Sequence, residues 1–176
     1  MMKVLGVVAA TVIVILGLAL SKPDSFRVER RIVINAAPQK VFTFLDDPRR
    51  QSLWSPWDKK DPAMKKTYSG NAKGVGAVYE WDGNKHIGAG RLTIVEMVAP
   101  SKVVMDLEFI RPMKGRNIAS YTVTPRSGGA SEVAWAITGP MPLLSKVMCL
   151  FMDMDKMIGG EFEKGLADLK ALAEKA

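Results

Sequence analysis

Between Lys3 and Lys22 the chain carries eighteen consecutive positions without a charge, nearly all Val, Ile, Leu, Ala or Gly. As a helix, Val4 to Leu20 would extend roughly 26 Å, close to the ~30 Å hydrocarbon layer of a bilayer, with Lys3 and Lys22 reaching the two interfaces. Residues 1–24 are therefore expected to form an N-terminal transmembrane anchor with a short linker. The competing reading is a cleaved secretory signal, since Met1-Met2-Lys3 is a short basic start and Ala19-Leu20-Ser21 offers small residues at a cleavage site. The run is longer than the ~7–15 residues of a signal core, which favours the anchor. Lys22, Arg27, Arg30 and Arg31 follow the run, so the positive-inside bias favours a cytoplasmic body for a single-pass protein, with export by a short N-terminal anchor as the alternative. Cys149 is the sole cysteine, which excludes an intrachain disulfide, and its apolar helical setting predicts a buried thiol.

What remains, residues 25–176, is the length of one domain. The chain is 48% hydrophobic, enough for a real core, and its net charge of +7 comes from 25 basic against 18 acidic residues. The basic residues occur as scattered pairs such as Arg49-Arg50, Lys59-Lys60 and Lys65-Lys66, not as a stripe interleaved with aromatics. A nucleic-acid partner is therefore not expected; a solvated surface near an anionic membrane is.

Alternation marks a strand over 26–35, and Ala37-Pro38 opens a helix expected at Gln39 to Leu45. Six further strands are expected near 65–69, 76–81, 86–97, 102–109, 117–124 and 132–138. They are separated by turn chemistry at Asp82-Gly83-Asn84, Ala99-Pro100-Ser101, Pro112 to Gly115 and Ser127-Gly128-Gly129. Short connections of this kind make an antiparallel meander. From Leu144 the apolar residues fall at threes and fours through Val147, Phe151, Met154, Ile158, Phe162, Leu166 and Leu169, which predicts one long helix to the C-terminus. Gly159-Gly160 in its middle predicts a bend or a close backbone approach. The fold class is α+β: a curved antiparallel sheet gripping a long C-terminal helix, preceded by the transmembrane helix.

This order of elements resembles the helix-grip fold of the SRPBCC superfamily, also called START-like or polyketide cyclase/dehydrase-like, over residues 25–175. Ala37-Pro38-Gln39-Lys40-Val41-Phe42 is similar to the segment that opens the first helix in that superfamily. Trp54-Ser55-Pro56-Trp57 with Asp61-Pro62, Tyr79-Glu80-Trp81-Asp82-Gly83-Asn84, Gly88-Ala89-Gly90 and the segment Leu150 to Lys156 resemble a bacterial subgroup with an N-terminal membrane segment. The superfamily includes lipid-transfer proteins, hormone and sterol binders, polyketide cyclases, oxygenase subunits and co-chaperones, so the resemblance implies a cavity and leaves its use open.

No catalytic constellation or cofactor site emerges from the residues. There is one histidine, His86, and no Cys-x-x-Cys, His-Glu-x-x-His or paired-histidine spacing for a metal. Tyr79, His86 and Glu108 are the only weak acid/base candidates, and His86, after a hairpin turn, reads as solvated. Glu80, Asp82, Asp106, Glu108 and Arg91 alternate opposite to the apolar face and read as outward. Trp54, Trp57, Tyr79, Trp81 and Trp135 read either as plain core or as the wall of a cavity beneath the long helix, with Arg111 at its mouth to hold an anionic group. Met148, Met152, Met154 and Met157 are expected to add an adaptable apolar wall. The expected function is a membrane-tethered module binding a hydrophobic or lipid-like small molecule. A cyclase or dehydratase and a protein-interaction module are the alternatives.

Overall fold

The computed structural model describes residues 2–175, with side chains described from residue 11 onward. The first half of the apolar run thus lies outside the described side chains, and Met1 and Ala176 lie outside the described residues altogether. Helix α1 spans Met2–Leu20. Among the residues whose side chains are described, no helix is long and apolar enough to cross a membrane.

Seven strands follow: β1 (Ser25–Ile34), β2 (Lys65–Gly70), β3 (Ala77–Asp82), β4 (Ala89–Val98), β5 (Lys102–Arg111), β6 (Gly115–Pro125) and β7 (Ser131–Pro140). They form one antiparallel sheet in the order β1-β7-β6-β5-β4-β3-β2, so the meander is closed at one edge by β1 pairing with the last strand. Register shifts between Ala89 and Gly90 and between Ile94 and Glu96 interrupt the β4–β5 ladder, and such irregularities increase local bending and twist. The curved α+β architecture therefore agrees with the sequence expectation.

Two helical expectations need correction. The connection between β1 and β2 holds three short helices, not one: α2 (Pro38–Phe42), α3 (Pro48–Gln51) and α4 (Pro56–Lys60). Each starts on a proline, which has no N–H to lose at a first helical position. Asp47 and Ser55 cap α3 and α4 by accepting from the backbone N–H groups of Arg49 and Asp58. The long helix is also broken, into α5 (Leu143–Met148) and α6 (Met154–Lys175). Asp153 caps α6 by accepting from the Lys156 N–H at 2.9 Å, and this polar start overrides an apolar spacing that continues through the turn. Cys149 is accordingly half-buried beside that turn, not enclosed in a helix. Met148, Met152 and Met157 face outward and form no inner wall.

Helix α6 packs on β1 and β7 through Phe162, Leu166, Leu169 and Ala173, all fully buried. The Trp135 and Phe162 rings stack at 4.0 Å and 9°. The helix comes this close because position 165 has no side chain: a Cβ on Gly165 would lie 2.8 Å from the Trp135 ring and 3.0 Å from Pro56 Cδ. Nearly two turns earlier Arg30, projecting inward from β1, lies over Gly159, where a Cβ would meet its guanidinium at 2.0 Å. Arg30 donates to Asp155 at 2.8 Å and to Glu163 at 2.7 Å, so the close approach expected at the glycine pair is an arginine clamp on the helix. These charges raise the Arg30 pKa and lower that of Asp155.

Gly165→Val should destabilise the protein by about 1–3 kcal/mol, the cost of overpacking. Gly160→Ala, with nothing within 4 Å of its Cβ position, should stabilise it by about 0.5–1 kcal/mol. Denaturant unfolding of the purified chain checks both; equal effects would contradict the packing described.

Candidate ligand-binding face

The registers define one row of residues across the inner face of the sheet. Tyr68 on β2 pairs with Tyr79 on β3, Tyr79 with Leu92 on β4, Leu92 with Leu107 on β5, and Leu107 with Asn117 on β6. On β7 the row reaches Gly139, where a Cβ would meet Asn117 Oδ1 at 1.9 Å and the Phe26 ring at 3.0 Å. Phe26 on β1 pairs with Gly139 and completes the row. Since side chains alternate along a strand, this row lies on the same face as Trp135, yet α6 covers chiefly the β1 and β7 side. Phe26, Asn117, Leu107, Leu92, Tyr79 and Tyr68 are each half-buried. The result is an apolar strip, with one amide near its middle, that the gripping helix leaves partly uncovered.

The five aromatic residues expected around one cavity divide into two groups. Trp54 and Trp135 are buried, and Trp57 is half-buried beside them. Their rings pack edge to face at 5.2 and 5.5 Å and continue into Tyr121 and Phe162, so they fill space under α6 with contacts to one another. Trp54 is anchored further by donating its indole N–H to the Phe44 carbonyl at 3.1 Å. Tyr79 and Trp81 belong instead to the half-open strip: Tyr68 stacks on Tyr79 at 5.2 Å, Tyr79 lies 5.9 Å from Trp81, and Trp81 meets Phe109 at 6.1 Å.

Arg111 is exposed at the end of β5 and is paired with Asp82. His86 is exposed in the β3–β4 turn, not in a strand, its N–H held by Asn84 Oδ1 at 2.9 Å. Glu108 is exposed on the opposite face, alternating with Leu107. Tyr79, His86 and Glu108 therefore do not converge on one point. Among the described residues, no group of His, Cys, Asp and Glu could hold a metal ion.

A buried polar cluster at the β2–β3 end of the strip has no counterpart in the sequence reading. The Asp58 carboxylate on α4 is buried, pairs with Lys66 on β2, and accepts from the Tyr79 hydroxyl at 3.4 Å. Ser52 and the Tyr68 hydroxyl share a hydrogen bond of 2.9 Å, and Arg49 sits 4.7 Å above the Tyr68 ring. Burial first, and then the Asp58 charge, push the Tyr79 pKa well above the ordinary tyrosine range, so its hydroxyl stays a donor into alkaline pH. A second opening of about 590 Å³ lies at the other end of the row, lined by Lys22, Pro23, Phe26, Met141, Phe151 and Met152 among others.

The sequence from residue 25 to 174 matches the family model described as polyketide cyclase / dehydrase and lipid transport. The chain belongs to that family. No curated protein matches it. Solved structures show the same fold at low identity. A protein from Chromobacterium violaceum is 18% identical, with 86% of this chain and 99% of that one aligned at a TM-score of 0.58. The Aha1 dimer from Colwellia psychrerythraea is 16% identical over 85% of this chain and 96% of that one, at 0.60. The di-domain ARO/CYC StfQ from the steffimycin biosynthetic pathway is 14% identical over 86% of this chain and 51% of that one, at 0.60.

Two measurements test the polar cluster. Lys66→Ala should cost about 2–3 kcal/mol, because it strands a buried carboxylate. Burial raises the pKa of Tyr121 as it does that of Tyr79. The stability these tyrosines contribute is whole below about pH 10 and declines as pH rises beyond it, since the unfolded chain then releases protons that the folded one keeps. Tyr79→Phe should flatten part of that alkaline decline in unfolding experiments.

Proposed function

We propose that the protein is a membrane-tethered binding module for a hydrophobic or amphipathic small molecule of lipid-like character, held on the half-covered inner face. One observation carries this reading: a row from Phe26 to Tyr68 crosses all the strands and stays half-buried while the aromatic core beside it is closed. Apolar walls with few polar groups suit such a ligand. Asn117 and the Tyr79 hydroxyl supply the polar contacts, with Trp81 and Phe109 widening the apolar floor. The Trp54, Trp57 and Trp135 stack backs the site and holds its shape. No reaction is assigned, because the acid/base candidates lie apart. Family membership supports a ligand-binding role, and its description spans both cyclase and lipid-transport activities.

The tether is the uncharged run between Lys3 and Lys22, with the domain on the cytoplasmic side through the basic flank that follows. It predicts retention of the full chain in the membrane fraction through high-salt and carbonate washing; release by either would end the anchor reading.

Native mass spectrometry of the detergent-solubilised chain should find a co-purifying small molecule. Leu107→Asp, which puts a charge on the strip without touching the Trp135 stack, should reduce its occupancy at least about tenfold, equivalent to roughly 1.4 kcal/mol. A protein without small molecule that instead retains a defined polypeptide would favour the interaction-module alternative. Turnover of a polyketide-like substrate lost in Tyr79→Phe would favour the cyclase.

A further inference from the structure

Helix α5 and the connection to α6 present Leu144, Met148, Phe151 and Met152 outward, with Phe151 73% exposed. Contiguous apolar surface of this kind on a single domain marks a site that something covers. The residues nearest to it indicate what. Helix α1 packs against α5, and its described residues Val12, Ile13, Val14, Leu16, Leu18 and Leu20 are exposed around the helix. A helix that is apolar all round requires apolar surroundings, and here the protein does not supply them. Whatever surrounds the end of α1 also meets the α5–α6 connection.

The geometry between the two is held by specific bonds. Lys146 on α5 is buried, and its ammonium donates to Asp24 in the linker at 2.6 Å. Met141, just before α5, donates its N–H to the Asp24 carbonyl at 2.7 Å. Lys22 and Pro23, only two and three residues beyond Leu20, line the same 590 Å³ opening as Phe151 and Met152. At about 3.5 Å per residue, the rim of that opening lies within ~10 Å of the end of α1. The rim carries Lys22 and Arg27 beside Asp153 and Asp155. Arg27 is paired with Glu29 and Asp155 with Arg30, and Lys22, nearest to α1, is the cation placed to meet lipid phosphates.

We infer that the α5–α6 connection is an interfacial element that inserts Phe151 and Met152 into the leaflet from which α1 emerges, so that the opening at Phe26 faces lipid. The inference rests on the anchor reading and adds an entry route: a bilayer amphiphile reaches the inner-face row from its Phe26 end without crossing water.

The full chain in vesicles of phosphatidylcholine and phosphatidylglycerol tests this. An environment-sensitive fluorophore is placed at Met152→Cys in a Cys149→Ser background, with Thr122→Cys on the outer face of β6 as control. Nitroxide-bearing lipids should quench the position-152 label several-fold more than the control, and aqueous iodide several-fold less. Phe151→Asp should reduce the lipid quenching. A label at position 152 that iodide reaches as readily as the control overturns the inference. So does a label shielded from both quenchers in a chain that cross-links to a second copy, which would make the patch a dimer contact. Carbonate washing separates this from the anchor. Retention with a water-exposed label defeats the docking alone, whereas release of a chain whose label was lipid-quenched supports the docking and defeats the spanning helix.

Discussion

Much of the architecture depends on the flat contact between Trp135 and Phe162, which fixes how closely the gripping helix approaches the sheet. Burying a ring of this size contributes about 2–3 kcal/mol, and the paired geometry adds about 0.5–1.5 kcal/mol. Its larger effect is positional. With Gly165 allowing the helix axis to close on the indole and Arg30 holding the second turn at Gly159, α6 is committed to the β1–β7 side. The remainder of the concave face is left with no helix of its own, and α2 to α4 cover only part of it.

That asymmetry separates two uses of aromatic residues that are indistinguishable by composition. Trp54, Trp57 and Trp135 make their contacts with one another and with Tyr121 and Phe162, which produces rigidity. Tyr68, Tyr79, Trp81 and Phe109 form a chain of rings along a surface that stays half-open. The Asp58–Lys66 pair stiffens one end of this chain from below, and burial together with its carboxylate holds the Tyr79 proton in place into alkaline pH.

Most of the fold was legible because strand alternation and turn residues are local signals: the seven strands and the antiparallel β2–β7 meander follow from them, whereas the pairing of β1 with β7 does not. The helical boundaries were less so. Val147, Phe151 and Met154 keep a helical spacing through a turn, and only Asp153, a strong capping residue, indicated the break. The site was legible in part. Tyr79 and Trp81 lie on the half-open strip as an aromatic wall would, but Phe26, Leu92, Leu107 and Asn117 join it only through cross-strand register, which one sequence does not display. Asp58 was invisible for a different reason, since a carboxylate beside Trp57 carries no mark of the lysine it meets on another element. Arg30 sits inward although its charge argued for solvent, because Asp155 and Glu163 await it on α6.

The row from Phe26 to Tyr68 draws one residue from each strand, and that has an evolutionary consequence. Backbone pairing is indifferent to which side chain occupies those positions, Gly139 excepted because a Cβ there would collide with Asn117, so ligand preference can be rewritten on the other strands one at a time without disturbing the ladder or the helix stack. A scaffold of this kind separates the residues under selection for folding from those free to follow a changing ligand, which suits a fold shared by chains as little as 10% identical.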